Sequence, residues 1–167
     1  MEEAYKAGKV KALGLSNFPQ ELIQNVSDHC EIKPQMVQVE AHPYYPQTRL
    51  KAYLAKYQMV LMAWYPLGHG DKSLAGEEIF TKLAKKYGKT NAQIVLRWHV
   101  QAGNVIIPGS KNADHIRDNF DIFDFAFTEE EMGEIAKLDK NTRYYNMSLE
   151  DAAEKYMAIQ IDFNAQE

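Results

Sequence analysis

Trp64 stands where an apolar run meets a turn. Residues 59–63 (MVLMA) are followed by Trp64-Tyr65-Pro66-Leu67-Gly68, and the proline and glycine force the backbone to change direction. An indole at the carboxyl end of a strand, beside a glycine-containing loop, offers a flat face for stacking a planar ligand ring. The same indole also suits an ordinary core position at a strand end. Three further polar clusters occupy comparable places: Ser16-Asn17, Glu40 with His42, and Ser110-Lys111. Each follows a stretch with strand character.

The elements that must position these clusters alternate in type. Residues 1–8 (MEEAYKAG) read as the last turns of a helix capped by Gly8. Residues 9–15 (KVKALGL) form a strand candidate that ends at Ser16-Asn17. Asn17 can cap the next helix, with Pro19 in its first turn and Leu22, Ile23 and Val26 on one face. Residues 36–41 (MVQVEA) alternate like a strand and carry Gln38. Residues 47–57 place Leu50, Tyr53, Leu54 and Tyr57 at helical spacing. The run 59–63 has a length that suits a strand buried on both faces.

Helices are expected over residues 77–87, closed by Gly88, and from Thr90 or Asn91 through Gln101. A short strand over 105–107 leads into Pro108-Gly109-Ser110-Lys111, and a short helix runs through Asn119. Thr128 with Glu131 forms a capping box for a helix to Leu138. The tail from Asp139 is less patterned, although Ser148 can cap a last helix through Met157. Strands alternating with helical patterns of roughly 10–15 residues indicate repeated βα units and a parallel sheet. Ligands of such folds sit at the carboxyl ends of the strands, so the four clusters are expected to share one rim.

Composition bounds the partners. The 167 residues suit one domain, and 46% hydrophobic with 25% charged residues is ordinary for a soluble globular chain. A net charge of −4 and a pI near 5.8 leave no basic excess for nucleic acid. Lone Cys30 excludes an internal disulfide and fits a reducing cytosol. No apolar run approaches the ~20 residues of a membrane span, and no N-terminal segment reads as a signal peptide, so a cytoplasmic location is expected. His29, His42, His69, His99 and His115 show no metal-ligand spacing, so no metal site is expected. His42 reads as structural, and Lys82, Lys85, Lys86 and Lys89 as a solvated helix face.

Together these segments resemble the C-terminal half of an aldo-keto reductase. The matching pieces, in order, are GKVKALGLSNF (8–18), QVEAHPYY (38–45), AWYPLG (63–68), IPGSKNADHIRDNFDIFDF (107–125) and LDKNTRYYN (138–146). The family is a (β/α)8 barrel that reduces aldehydes and ketones with NADPH or NADH. The resemblance therefore implies an α/β fold of four parallel strands with flanking helices, half of such a barrel. It implies that Ser16, Asn17 and Gln38 hydrogen-bond the nicotinamide carboxamide and that Trp64 stacks on its ring. Leu67 and Gly68 are then in the loop over the pyrophosphate, Ser110 and Lys111 at the adenosine phosphate, and Asn119 at the adenine with Asp118 beside it. By the same resemblance Tyr144, Tyr145 and the tail border the substrate pocket. That placement and a tail packed across the barrel mouth stand as equal alternatives. Amides suit a carboxamide, an indole suits a flat ring, and a lysine with a hydroxyl suits phosphate.

The chain departs from the family pattern in three ways. Gly109 replaces a frequent lysine and His115 a frequent arginine, with Lys111 and Arg117 the cations able to compensate; NADPH against NADH stays open. The catalytic Asp, Tyr, Lys and His of the family lie in the first half of the barrel, and none of their motifs is present here. No catalytic residue is therefore expected. Tyr44, Tyr45, Tyr65, Tyr144 and Tyr145 lack a Lys-Asp pair at motif spacing to bring a phenol down from about 10. The chain is expected to be a single truncated domain over 1–167, a half barrel over 1–138 with a tail over 139–167. It is expected to hold the dinucleotide with little turnover by itself. The alternatives are a binding remnant and a half that complements a separate N-terminal half. The open edges at 9–15 and 105–107 would favour a homo-oligomer.

Overall fold

Four strands, β1 (Gly14–Ser16), β2 (Met36–Glu40), β3 (Val60–Trp64) and β4 (Val105–Ile106), form one parallel sheet in sequence order. The structure is a computed structural model and describes residues 1–159. Parallel neighbours need a crossover, which helices provide here. Helix α1 (Glu2–Lys6) precedes the sheet, and α2 (Gln20–His29) and α3 (Thr48–Ala55) make the first two crossovers. Three helices separate β3 from β4: α4 (Lys72–Ala75), α5 (Glu78–Tyr87) and α6 (Asn91–Gln101). After β4 come α7 (Ala113–Phe120), α8 (Glu129–Ala136) and α9 (Leu149–Met157). This is the α/β arrangement of four parallel strands with flanking helices that the sequence implies.

The register sets which side chains share a face. Ser16 pairs with Gln38, Gln38 with Met62 and Met62 with Val105, so these four form one row across the sheet. Two residues further along, Glu40 lies beside Trp64 on the same face. The opposite face carries Val37, Val39, Leu61 and Ala63, which join Ile23, Leu50 and Leu54 of α2 and α3 in one apolar cluster. A second cluster unites α5 and α6 through Phe80, Leu83, Ile94 and Trp98, with Tyr44, Leu74, Phe127 and Ile135.

Several expectations need correction. The third strand is buried on one face only: Val60 is 43% exposed and Val105, on the same face of the sheet, 38%. Val60 and Met62 are as apolar as covered Leu61 and Ala63, so the run looks two-sided in sequence while the helices cover one side. The first strand is shorter than residues 9–15, because β1 pairs only with β2 and residues 9–13 lie outside the ladder. Pro19, not Asn17, is the N-cap of α2, which has no side-chain cap bond, and Leu22 on its expected apolar face is exposed. Lys89 is no solvated cation: its side chain is buried and its ammonium lies 2.8 Å from both Asp121 and Asp124. Helix α4 and the single turn of 3-10 helix Gly68–Gly70 were not anticipated. The capping boxes at Thr90–Gln93 and Thr128–Glu131 are formed, and the Ser148 hydroxyl accepts the Asp151 N–H at 3.0 Å. Gly88, at φ +67, closes α5 in the left-handed conformation that glycine adopts without strain.

Candidate functional site

The rim is organised by Asn17. Its φ of 59° places it in the left-handed region, where asparagine is among the tolerated residues. Its N–H continues the ladder to the Gln38 carbonyl at 2.9 Å. Its side-chain oxygen accepts the Trp64 indole N–H at 2.9 Å, and its amide nitrogen donates to Ser16 Oγ at 3.3 Å. The ends of β1 and β3 are thereby joined by side chains and that of β2 by the backbone. Trp64 is half-buried and belongs to neither apolar cluster. The Tyr65 and Tyr145 rings meet it nearly perpendicularly, with centroids 4.6 and 5.8 Å away. Gln38 is half-buried in the adjoining row.

Beyond Trp64 the chain winds through left-handed residues at Tyr65, Gly68, His69 and Gly70. Gly68 is required for space as well as for its φ of 69°: a Cβ there would stand 2.3 Å from Leu74 Cδ2 and 3.3 Å from the Tyr144 ring. Asp71 caps α4 by accepting the Ser73 N–H at 2.7 Å and also accepts the Tyr144 hydroxyl at 2.6 Å. The Tyr144 hydroxyl first, then the Ser73 hydroxyl at 2.8 Å and the Ser73 N–H, hold the Asp71 carboxyl down at about 2. Burial, reinforced by the Asp71 charge, pushes the Tyr144 phenol up.

Ser110, Lys111, Asp118 and Asn119 lie beyond β4, around α7. The Ser110 hydroxyl accepts the Asn112 N–H at 3.0 Å, and the Asn112 side chain caps α7 through the Asp114 N–H at 2.8 Å. The Asp118 carbonyl accepts Gln93 Nε2 at 3.2 Å, which ties α7 to α6. Arg117 is paired with Asp114 at 2.9 Å, while exposed Lys111 pairs with no acid among the described residues. The structure thus brings Ser16, Asn17, Gln38 and Trp64 together at adjacent strand ends, with Leu67 and Gly68 on the following loop. The Ser110–Asn119 group makes no hydrogen bond to them.

Glu40 is the feature that sequence reasoning undervalued. It is 1% exposed, and its carboxylate accepts the Tyr144 N–H at 2.5 Å, the Tyr145 N–H at 3.2 Å and His42 Nε2 at 3.2 Å, with Arg143 Nε at 3.8 Å. An acid in a strand that is apolar apart from Gln38 (MVQVEA) is the available signal. Burial lowers the affinity of His42 for a proton, so the neutral ring donates through Nε2 to Glu40. Fully buried His99, pushed down to about 3 by desolvation, bridges the Pro66 carbonyl and the Asn104 amide at 3.0 and 3.1 Å. It thereby fixes the base of the β3 loop. A cleft of 1170 Å³ opens beside the rim, walled by Ser16, Asn17, Phe18, Tyr45, Tyr145 and Met147. Among the described residues no group of histidine, cysteine and carboxylate side chains could hold a metal ion. No helix among them is long and apolar enough to cross a membrane.

Amide, indole and hydroxyl groups are thus gathered at the carboxyl ends of a four-stranded parallel sheet with flanking helices. The chain belongs to the aldo/keto reductase family, whose sequence model matches residues 1–140. It is 41% identical over 143 residues to methylglyoxal reductase DkgA of Escherichia coli, covering 86% of this chain and 52% of that protein. Its fold is similar to Bombyx mori aldo-keto reductase in complex with NADP (TM-score 0.81, 32% identity), covering 88% of this chain and 50% of that one. It is similar also to the aldose reductase of Schistosoma japonicum (TM-score 0.83, 31% identity), covering all of this chain and 52% of that one. The chain spans about half the length of the relatives it matches.

Proposed function

We propose that this chain is the cofactor-holding half of an NAD(P)H-dependent aldo-keto reductase. The observation that carries the reading is the Trp64–Asn17 hydrogen bond, which sets an indole beside carboxamide-binding amides at adjoining strand ends. The donor set fits a nicotinamide: Gln38 and Asn17 offer amides to its carboxamide, with Ser16 beside them, and Trp64 offers a plane. Leu67 and Gly68 belong to the loop over the pyrophosphate; Ser110, Lys111, Asp118 and Asn119 belong to the adenosine end. The bound dinucleotide supplies the hydride for a carbonyl carbon, and the residues of this chain bind and orient it. NADPH is the favoured form because a neighbour of this fold is described as complexed with NADPH and Lys111 is available to a phosphate.

The proton donor comes from elsewhere. Burial first, and then the neighbouring carboxylate, raises the proton affinity of Tyr144 beside Asp71 and of Tyr87 beside Glu131. That is the wrong direction for an acid working near neutrality. Calorimetric titration with NADPH tests the reading. Saturable binding, weakened in Asn17→Ala, is expected, and adding an aldehyde should leave the NADPH absorbance unchanged. No heat of binding would remove the cofactor role; aldehyde-dependent oxidation would show that a donor is present.

A second feature supports association of halves. The sheet ends in unpaired edges at β1 and β4, its uncovered face carries Val60 and Val105, and Phe120 and Phe123 stand exposed near α7. Open edges and apolar faces favour pairing with a complementary half or a second copy. A homo-oligomer in sedimentation is expected; a monodisperse monomer would contradict it.

A further inference from the structure

The chain segment from Glu40 to Tyr44 grips the tail at two places. The Tyr44 carbonyl accepts the N–H groups of Lys140 and Thr142 at 3.0 and 3.3 Å. The Glu40 carboxylate accepts the next pair of N–H groups, those of Tyr144 and Tyr145, at 2.5 and 3.2 Å. Bonds from backbone N–H to an ionised carboxylate are stronger than neutral ones, and a buried carboxylate deprived of them is costly. Glu40 shares a sheet face with open residues such as Val60, yet is covered, because the tail lies over it.

The held segment reaches the cofactor rim in two directions. Tyr145 is carried to the edge of the Trp64 ring, and Tyr144 is carried over the β3 loop. The Tyr144 ring rests against the vacant Cβ position of Gly68, its hydroxyl bonds Asp71, and the His42 ring supports it from 4.6 Å. His99 holds the Pro66 carbonyl at the base of the loop, and beyond it the backbone bonds run from Gly68 N–H to Tyr65 and from Asp71 N–H to Gly68. Tyr144 is therefore its tie to the tail.

We propose that Glu40 is a positioning residue that fixes residues 143–145 so that Tyr144 latches the loop after β3, making opening of that loop conditional on release of the tail. The functional meaning of the latch, control of dinucleotide entry and release, rests on the cofactor reading above; the latch itself does not.

Hydrogen exchange of the whole chain, followed by mass spectrometry, tests it. In Glu40→Gln the side chain keeps one acceptor oxygen and turns a donor toward the remaining N–H. Exchange should rise about tenfold or more both at residues 144–145 and at Gly68 and Asp71. In Tyr144→Phe it should rise at Gly68 and Asp71 alone, with the tail amides still protected. The double variant should match Glu40→Gln in the loop, because both changes cut one connection. A freed tail with unchanged loop exchange in Glu40→Gln would overturn the proposal. Should Glu40→Gln fail to fold, unchanged loop exchange in Tyr144→Phe overturns it alone. With NADPH present, both variants should release it faster than the unsubstituted chain. If the unsubstituted chain binds none, the cofactor reading fails while the exchange pattern still decides the latch.

Discussion

The Trp64 indole N–H donates to the Asn17 side-chain oxygen at 2.9 Å, joining the ends of β3 and β1 across the intervening strand. This bond fixes which way the Asn17 amide faces: oxygen to the indole, nitrogen toward Ser16 and the rim. Replacing Trp64 by Phe keeps an aromatic plane and removes the bond. A neutral hydrogen bond contributes about 1 kcal/mol, so NADPH affinity should fall about fivefold in Trp64→Phe. It should fall further in Asn17→Ala, which removes the carboxamide partner as well. Calorimetry reads both.

Lys111, which the proposed function sets at the adenosine end, pairs with no acid among the described residues, whereas Arg117 is held by Asp114. Lys111→Ala should weaken NADPH by about tenfold, near 1.4 kcal/mol, and leave NADH almost unchanged. Equal losses for both dinucleotides would place Lys111 away from the phosphate that distinguishes them.

His99 gives the protein an acid-sensitive point. Its folded-state value of about 3 lies below the roughly 6.5 of an unfolded histidine, so the unfolded chain takes up the proton first. The stability due to the neutral ring is complete above about pH 6.5 and is lost as pH falls through that value toward 3. His42 is displaced in the same direction. Asp71 and Glu131, both held down at about 2, lose their contribution only below the ordinary carboxylate range. Urea unfolding between pH 6.5 and 5 should therefore show stability falling with acid, by up to about 1.4 kcal/mol per pH unit for each such histidine. The slope should be smaller in His99→Gln.

Gly68→Ala tests the loop geometry. The left-handed backbone and a Cβ 2.3 Å from buried Leu74 should together cost about 1–2 kcal/mol of stability in urea. NADPH binding should weaken beyond that, because the same residue seats Tyr144.

What the sequence disclosed and what it withheld divide along physical lines. Local chemistry was legible: the Thr90–Gln93 and Thr128–Glu131 capping boxes and the Gly88 stop depend on residues a few positions apart. The parallel order was legible because β2 and β3 are separated by a helical period. Asn17 was mistaken for a cap because asparagine serves equally well at a helix start and in an isolated left-handed turn. Lys89 looks solvated in the sequence because its partners Asp121 and Asp124 lie more than thirty residues further along the chain, beyond the reach of helical periodicity. Glu40 was placed at the rim without its role, since its tail partners are 104 and 105 residues away. Helix α4 was missed because four residues between glycine-rich turns carry no period.

A titration of tryptophan fluorescence with NADPH, run on the unsubstituted chain and on Trp64→Ala, tests the central claim most directly. Trp98 is buried in the helix cluster and serves as the internal background. The account predicts saturable quenching in the unsubstituted chain and its loss in the variant. Quenching that persists undiminished without Trp64 would contradict a nicotinamide site built on that indole.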